Sequence, residues 1–148
     1  MKLNLDNVFE SLDKATNFKL EVLQNKDGLL RVQSLVTAPN LFKNPILFQT
    51  FVHEDGTCHV LLTLDTVEKT LDNFLLINEL NANNPLFTGY IIDRGDAVNA
   101  FELHAVNLCV ADDDVVSFVS YILNTYIASE QFLKYLSPIV SMADNFNN

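Results

Sequence analysis

The stretch NFKLEVLQNKDGLLRVQSLV, residues 17–36, decides the fold class. Phe18, Leu20 and Val22 alternate with Asn17, Lys19 and Glu21, the period of two that belongs to an extended strand. Asn25-Lys26-Asp27-Gly28 interrupts the alternation as a hairpin turn, since Gly supplies a positive φ there. A second strand follows over residues 29–36. Immediately before this hairpin the period is different. Leu5, Val8, Phe9 and Leu12 stand at i, i+3, i+4 and i+7, the stripe of an amphipathic helix. Asn4 can cap that helix, with Asp6 near the positive end of its dipole.

Outward from this start, Ala38 to Pro45 is irregular and bracketed by prolines. A second hairpin has residues 46–52 and 58–64 as its arms, with His53-Glu54-Asp55-Gly56-Thr57 as its turn. Asp65 or Thr66 can cap a second helix from about Val67 to Asn81, whose apolar stripe contains Val67, Leu71, Phe74, Leu75 and Leu80. Asn81-Ala82-Asn83-Asn84-Pro85 stops it. A third hairpin pairs residues 87–92 with 97–106 around Asp93-Arg94-Gly95-Asp96. Asp112-Asp113-Asp114 then opens a long helix to about Leu136, before a frayed tail over residues 137–148. The expected order is α-β-β-β-β-α-β-β-α. Hairpins without βαβ alternation imply an α+β class, an antiparallel sheet with flanking helices in a single domain, residues 1–148.

Composition narrows the possible roles. Hydrophobic residues make up 49% of the 148 and charged ones 19%, which suits a buried core and not a disordered chain. Nine Lys and Arg against nineteen Asp and Glu give a net charge of −10. The cations are scattered singly, so neither nucleic acid nor an anionic membrane surface is an expected partner. Such a surface serves solubility, and it would also attract a basic protein segment. Cys58 and Cys109 sit in apolar strings and read as free buried thiols of a reducing compartment, with a disulfide between them left open. The N-terminus lacks the apolar core of a secretory signal, and no apolar run reaches transmembrane length, so a cytoplasmic location is expected.

Two features exceed what an isolated core requires. Several strands carry apolar residues on their second face: Leu23, Leu29, Leu35, Leu47, Phe51 and Leu61. The last helix is apolar nearly all round, and roughly 25 residues would make it about 37 Å long. Either the fold buries this surplus itself or the surplus forms a homodimer or partner surface. On the second alternative Leu35, Phe51, Leu61, Phe118, Tyr121 and Tyr126 are the candidate contact residues.

Sites for chemistry are sparse. Cys58 and His59 are sequence neighbours, but neighbours in a strand point to opposite faces. The turn from His53 to His59 collects metal-ligand types, yet matches no zinc spacing and reads first as a solvated hairpin tip. Asp112-Asp113-Asp114 lacks the calcium-loop pattern and serves the helix dipole. No P-loop, dinucleotide fingerprint or nucleophile elbow occurs. No catalytic residues, metal site or cofactor is assigned, and an enzyme is not expected.

The helix and stop Leu75-Leu76-Ile77-Asn78-Glu79-Leu80-Asn81-Ala82-Asn83-Asn84-Pro85, the hairpin Gly89-Tyr90-Ile91-Ile92-Asp93-Arg94-Gly95-Asp96-Ala97-Val98 and the acid-started helix from Asp112 to Phe132 together resemble the YbjN family. More broadly they resemble the type III secretion chaperone fold of the Tir-chaperone group. The motif likeness covers a little under half of the chain. It implies a small acidic homodimer that holds segments of other proteins along its sheet and helices, in a chaperone-like or regulatory role. The chain departs from the group in a less leucine-rich first helix and in its long third helix. The expected function is a non-enzymatic protein-binding module. A small-molecule or metal-binding domain, or a structural subunit of a larger assembly, are the alternatives.

Overall fold

The computed structural model describes residues 2–65, 67–93 and 99–139. The tip of the third hairpin at residues 94–98, the alternative cap Thr66 and residues 140–148 of the expected tail lie outside the described residues. In chain order the elements are α1 (Leu5–Ala15), β1 (Glu21–Lys26), β2 (Leu29–Val36), β3 (Ile46–His53), β4 (Thr57–Asp65), α2 (Leu71–Asn83), β5 (Thr88–Ile92), β6 (Ala100–Leu108) and α3 (Asp112–Ile122). A π-helical turn, Leu123–Ile127, and α4 (Glu130–Leu136) follow. The class is α+β, and the strands form one six-stranded antiparallel sheet in the order β1-β2-β3-β4-β6-β5. The chain divides into two compact units. The first comprises Met1–Ser34, Phe48–Val60 and Val106–Ser129, the second Leu35–Leu47, Leu61–Ala105 and Glu130–Asn148.

In the first unit, α1 starts where its cap requires: the Asn4 side chain accepts the Asn7 N–H at 3.2 Å. Val8 and Leu12 are its buried residues. The β1–β2 turn places both Asp27 (φ 57°) and Gly28 (φ 72°) in the left-handed region, the two-residue geometry whose twist matches that of paired strands. β1 begins at Glu21, later than the alternation predicts, and its register shifts between Val22 and Gln24. That irregularity breaks the expected face pattern and leaves Val22 and Leu23 exposed. In the second hairpin, Gly56 (φ 103°) must be glycine twice over: its conformation is left-handed, and a Cβ there would stand 2.0 Å from the Cys109 carbonyl oxygen.

The last helix departs most from expectation. α3 packs against α1 through a face that buries Val115, Val119 and Ile122. It then widens into the π turn, where the Ala128 N–H donates to the Leu123 carbonyl at 2.8 Å. The chain restarts as α4 at Glu130, which is also where it passes from one compact unit to the other. One straight helix of about 37 Å would have to find cover on every side. Two short segments, α3 with its π turn and α4, instead bury one face each.

In the second unit, β5 and β6 pair from Thr88↔His104 to Ile92↔Ala100. Gly89 faces Leu103 in that ladder, and a Cβ on it would meet the Phe101 ring at 2.9 Å. α4 contributes Leu133 and Leu136 to the buried set, and Phe132 meets Phe87 edge-on with ring centroids 6.2 Å apart.

Candidate functional site

The candidate site lies on α2, in the second unit, and follows from how that helix is rotated. The helix begins at Leu71, four residues after Val67, because Thr70 and not Asp65 or Thr66 caps it. The Thr70 hydroxyl accepts the Asn73 N–H at 3.1 Å, and the Asn73 side-chain amide donates to the Glu68 carbonyl at 2.8 Å. Two turns on, Asn81 accepts the Gly89 N–H at 2.7 Å and donates to the Gly89 carbonyl at 3.1 Å. The Asn81 amide thus stands where a neighbouring strand would pair with the edge strand β5. Asn73, Ile77 and Asn81 are spaced by four, so this one line of the helix is directed inward, with Leu80 beside it.

The consequence splits the stripe predicted from the sequence: Val67 and Leu80 are buried as expected, and the stripe residues between them are not. The inward face buries Asn73, Ile77 and Leu80. Leu71, Phe74 and Leu75, expected in the core, are 72%, 45% and 55% exposed. They stand at i, i+3 and i+4 and form one outward apolar stripe. Exposed carboxylates flank it: Glu68, Asp72 and Glu79. Lys69, the cation nearest in sequence, is ion-paired with Asp93. A cleft of about 320 Å³ lined by Glu68, Thr70, Asp72, Asn73, Leu76 and Pro138 opens at the start of the helix.

The six residues expected to make contacts are divided between the two compact units. Leu35 is exposed on β2 and Leu61 half-buried on β4, both in the second unit. Phe51, Phe118, Tyr121 and Tyr126 belong to the first unit. Phe51 is covered within the chain, with the Arg31 guanidinium 5.0 Å from its ring centroid. Tyr121 and Tyr126 do meet, edge-to-face at 6.0 Å, and Phe118 is half-buried. Burial and the contact with Tyr121 push the Tyr126 phenol above its ordinary range.

The other polar clusters are explained by structure. His53 and His59 do face each other, with ring centroids 6.0 Å apart, but Glu54 turns to Lys2 at 3.2 Å and Asp55 accepts the Thr57 N–H at 2.9 Å. Among the described residues no group of three or more ligand side chains is placed to hold a metal ion. Asp112 accepts the Asn4 N–H at 3.0 Å and the Asn7 amide at 2.9 Å, while Asp114 accepts the N–H groups of Val110 and Ala111 at 3.0 Å each. On the sheet, Glu102 of β6 accepts hydrogen bonds from Thr63 of β4 and Tyr90 of β5. Desolvation, with the hydrogen bond to Glu102, pushes the Tyr90 phenol up to about 12. Among the described residues no helix is long and apolar enough to cross a membrane.

No protein-family model, characterised protein or solved structure matches the chain.

Proposed function

We propose that this chain is a non-enzymatic protein-binding module whose docking face is the outward side of α2, and that its partner is a basic amphipathic segment of another protein. One observation carries the reading: Leu71, Phe74 and Leu75 form a helical stripe exposed to water, while Asn73, Ile77 and Leu80 are the residues that the same helix buries. Charge selects the occupant. The stripe is edged by Glu68, Asp72 and Glu79, and α2 itself contains no Lys or Arg. An amphipathic helix with Lys or Arg beside its apolar face complements this arrangement, in the helix-on-groove mode of recognition. A second copy of the same face would set carboxylates against carboxylates. The resemblance drawn from the sequence supports the same broad class, a chaperone-like or regulatory holder of protein segments.

The test uses the whole chain and a fluorescent amphipathic peptide of Leu and Lys, with a Leu and Glu peptide of equal length as control. Anisotropy is expected to show binding of the basic peptide, weakened by salt as exposed charge pairs require, and none of the acidic one. Each apolar side chain removed from such a contact is worth about 1.4 kcal/mol or more, so Phe74→Asp is expected to weaken binding at least ~10-fold. The positions are exposed, so the circular dichroism of the variant should match the parent. Equal affinity of parent and variant would sink the reading. A concentration-dependent dimer that Phe74→Asp abolishes, seen by light scattering, would replace the basic partner with a second copy.

A further inference from the structure

Cys58 and Cys109 are both free and both buried, and both belong to the first unit. The backbone brings them together. The Cys109 N–H donates to the Gly56 carbonyl at 2.8 Å, and the Gly56 α-carbon is pressed against the Cys109 carbonyl so closely that no side chain fits between. Gly56 and Cys58 are two residues apart entering β4 and both are buried, so Cys58 lies on the face that Cys109 adjoins. The two thiols share a side-chain hydrogen bond. A second donor, the Asn107 side-chain amide, reaches the Cys109 Sγ at 3.8 Å.

The two sulfurs are therefore not equivalent. Hydrogen bonding from Cys58 holds the Cys109 thiol below its ordinary range, against the opposing pull of burial and of the Asp114 carboxylate. The same bond, with burial, pushes the Cys58 thiol up. Of the two thiols Cys109 is therefore the one that loses its proton more readily. Cys109 is also the shallower in the chain: its neighbours Leu108 and Val110 are both exposed.

We propose that Cys58 and Cys109 form a dithiol that closes to an intramolecular disulfide under a hydroperoxide oxidant, with Cys109 attacking and Cys58 resolving. The Cys109 thiolate attacks the peroxide oxygen, the O–O bond breaks, and Cys109 becomes a sulfenic acid as hydroxide leaves. Cys58 then attacks the sulfenic sulfur, the S–S bond forms, and water leaves with the Cys58 proton. Two thiols and one peroxide give one disulfide and two waters. The bridge joins the two ends of the segment that contains α2, and the inference does not depend on what α2 binds.

The native full-length chain is treated with hydrogen peroxide and mapped by mass spectrometry without reduction. The expected result is loss of both free thiols, a Cys58–Cys109 linked peptide within one chain, and full reversal by dithiothreitol. In Cys58→Ala, Cys109 is expected to accumulate as a sulfenic acid that dimedone labels. In Cys109→Ala, Cys58 is expected to stay unmodified over the same time. Disulfides formed only between chains, or thiols that react only after denaturation, overturn the proposal. Labelling of Cys58 in the Cys109→Ala variant overturns the assignment of roles. Mapping of the parent chain decides the bridge even where a variant fails to fold.

Discussion

Helices α2 and α3 both begin with acid in the first turn, one residue in α2 and three in α3, and use it in opposite ways. In α3 the acids are turned into the structure. Asp112 holds α1 through Asn4 and Asn7, Asp114 closes the helix start, and Val115, Val119 and Ile122 are buried as their spacing implies. In α2 the acid of the first turn, Asp72, faces water beside Leu71 and Leu75, and the inward line is headed by an asparagine. The difference teaches that the rotation of a helix is not settled by its count of apolar residues. Where both faces are apolar, transfer free energy changes little with rotation, and a few buried hydrogen bonds decide. Asn73 and Asn81 supply those bonds in α2.

This comparison can be broken most directly at Ile77 and Leu75. Ile77→Ala on the buried face is expected to destabilise by ~2–5 kcal/mol, whereas Leu75→Ala on the exposed face should stay within about 0.5 kcal/mol. Urea titration of the two variants measures both, and equal losses would mean the helix is turned otherwise. The asparagine latch is tested by Asn81→Leu, which makes α2 more apolar. It leaves the Gly89 N–H and carbonyl without this partner and is expected to cost about 1–3 kcal/mol in the same titration. A stabilised variant would show that apolar burial outweighs the latch.

Smaller effects sharpen the α3 side. Asp112→Ala removes two hydrogen bonds and a favourable dipole contact at a partly exposed position, for about 1 kcal/mol, while Asp113→Ala should change the melting temperature little. The smallest effect concerns Tyr90. Its folded phenol titrates at about 12, above the ordinary value near 10, so the folded state retains a proton that the unfolded state has released between those values. That contribution to stability is complete below pH ~10 and is lost as the pH rises toward 12. Ultraviolet titration should show late tyrosine absorbance that Tyr90→Phe reduces by one residue's share, with Tyr126 supplying the remainder. If the late absorbance is unchanged by the substitution, it belongs to other tyrosines.

Much of the fold was legible. The Asn4 cap, the Asp27-Gly28 turn and the run of hairpins each rest on interactions between near neighbours in sequence, and the structure contains them. The candidate site was hidden for a specific reason. Leu71, Phe74 and Leu75 have core spacing, and their exposure follows from Asn81 meeting Gly89 on a strand that no local pattern connects to it. The signal that was available, an asparagine at each end of the Asn73, Ile77, Asn81 line, reads locally as a helix stop. The break after Ile127 was missed because apolar residues on every side of a segment do not say whether one helix or two will carry them.

By itself, the sequence determined the α+β class, nearly all the element boundaries to within a few residues, and an acidic surface, because short-range geometry and composition are properties of the chain alone. Tertiary structure decided which side of α2 faces water, where the third helix ends, and that Cys58 and Cys109 share a hydrogen bond. Each of those outcomes turns on polar groups far apart in sequence finding one another, and the free energy of that meeting exists only once the chain has closed around it.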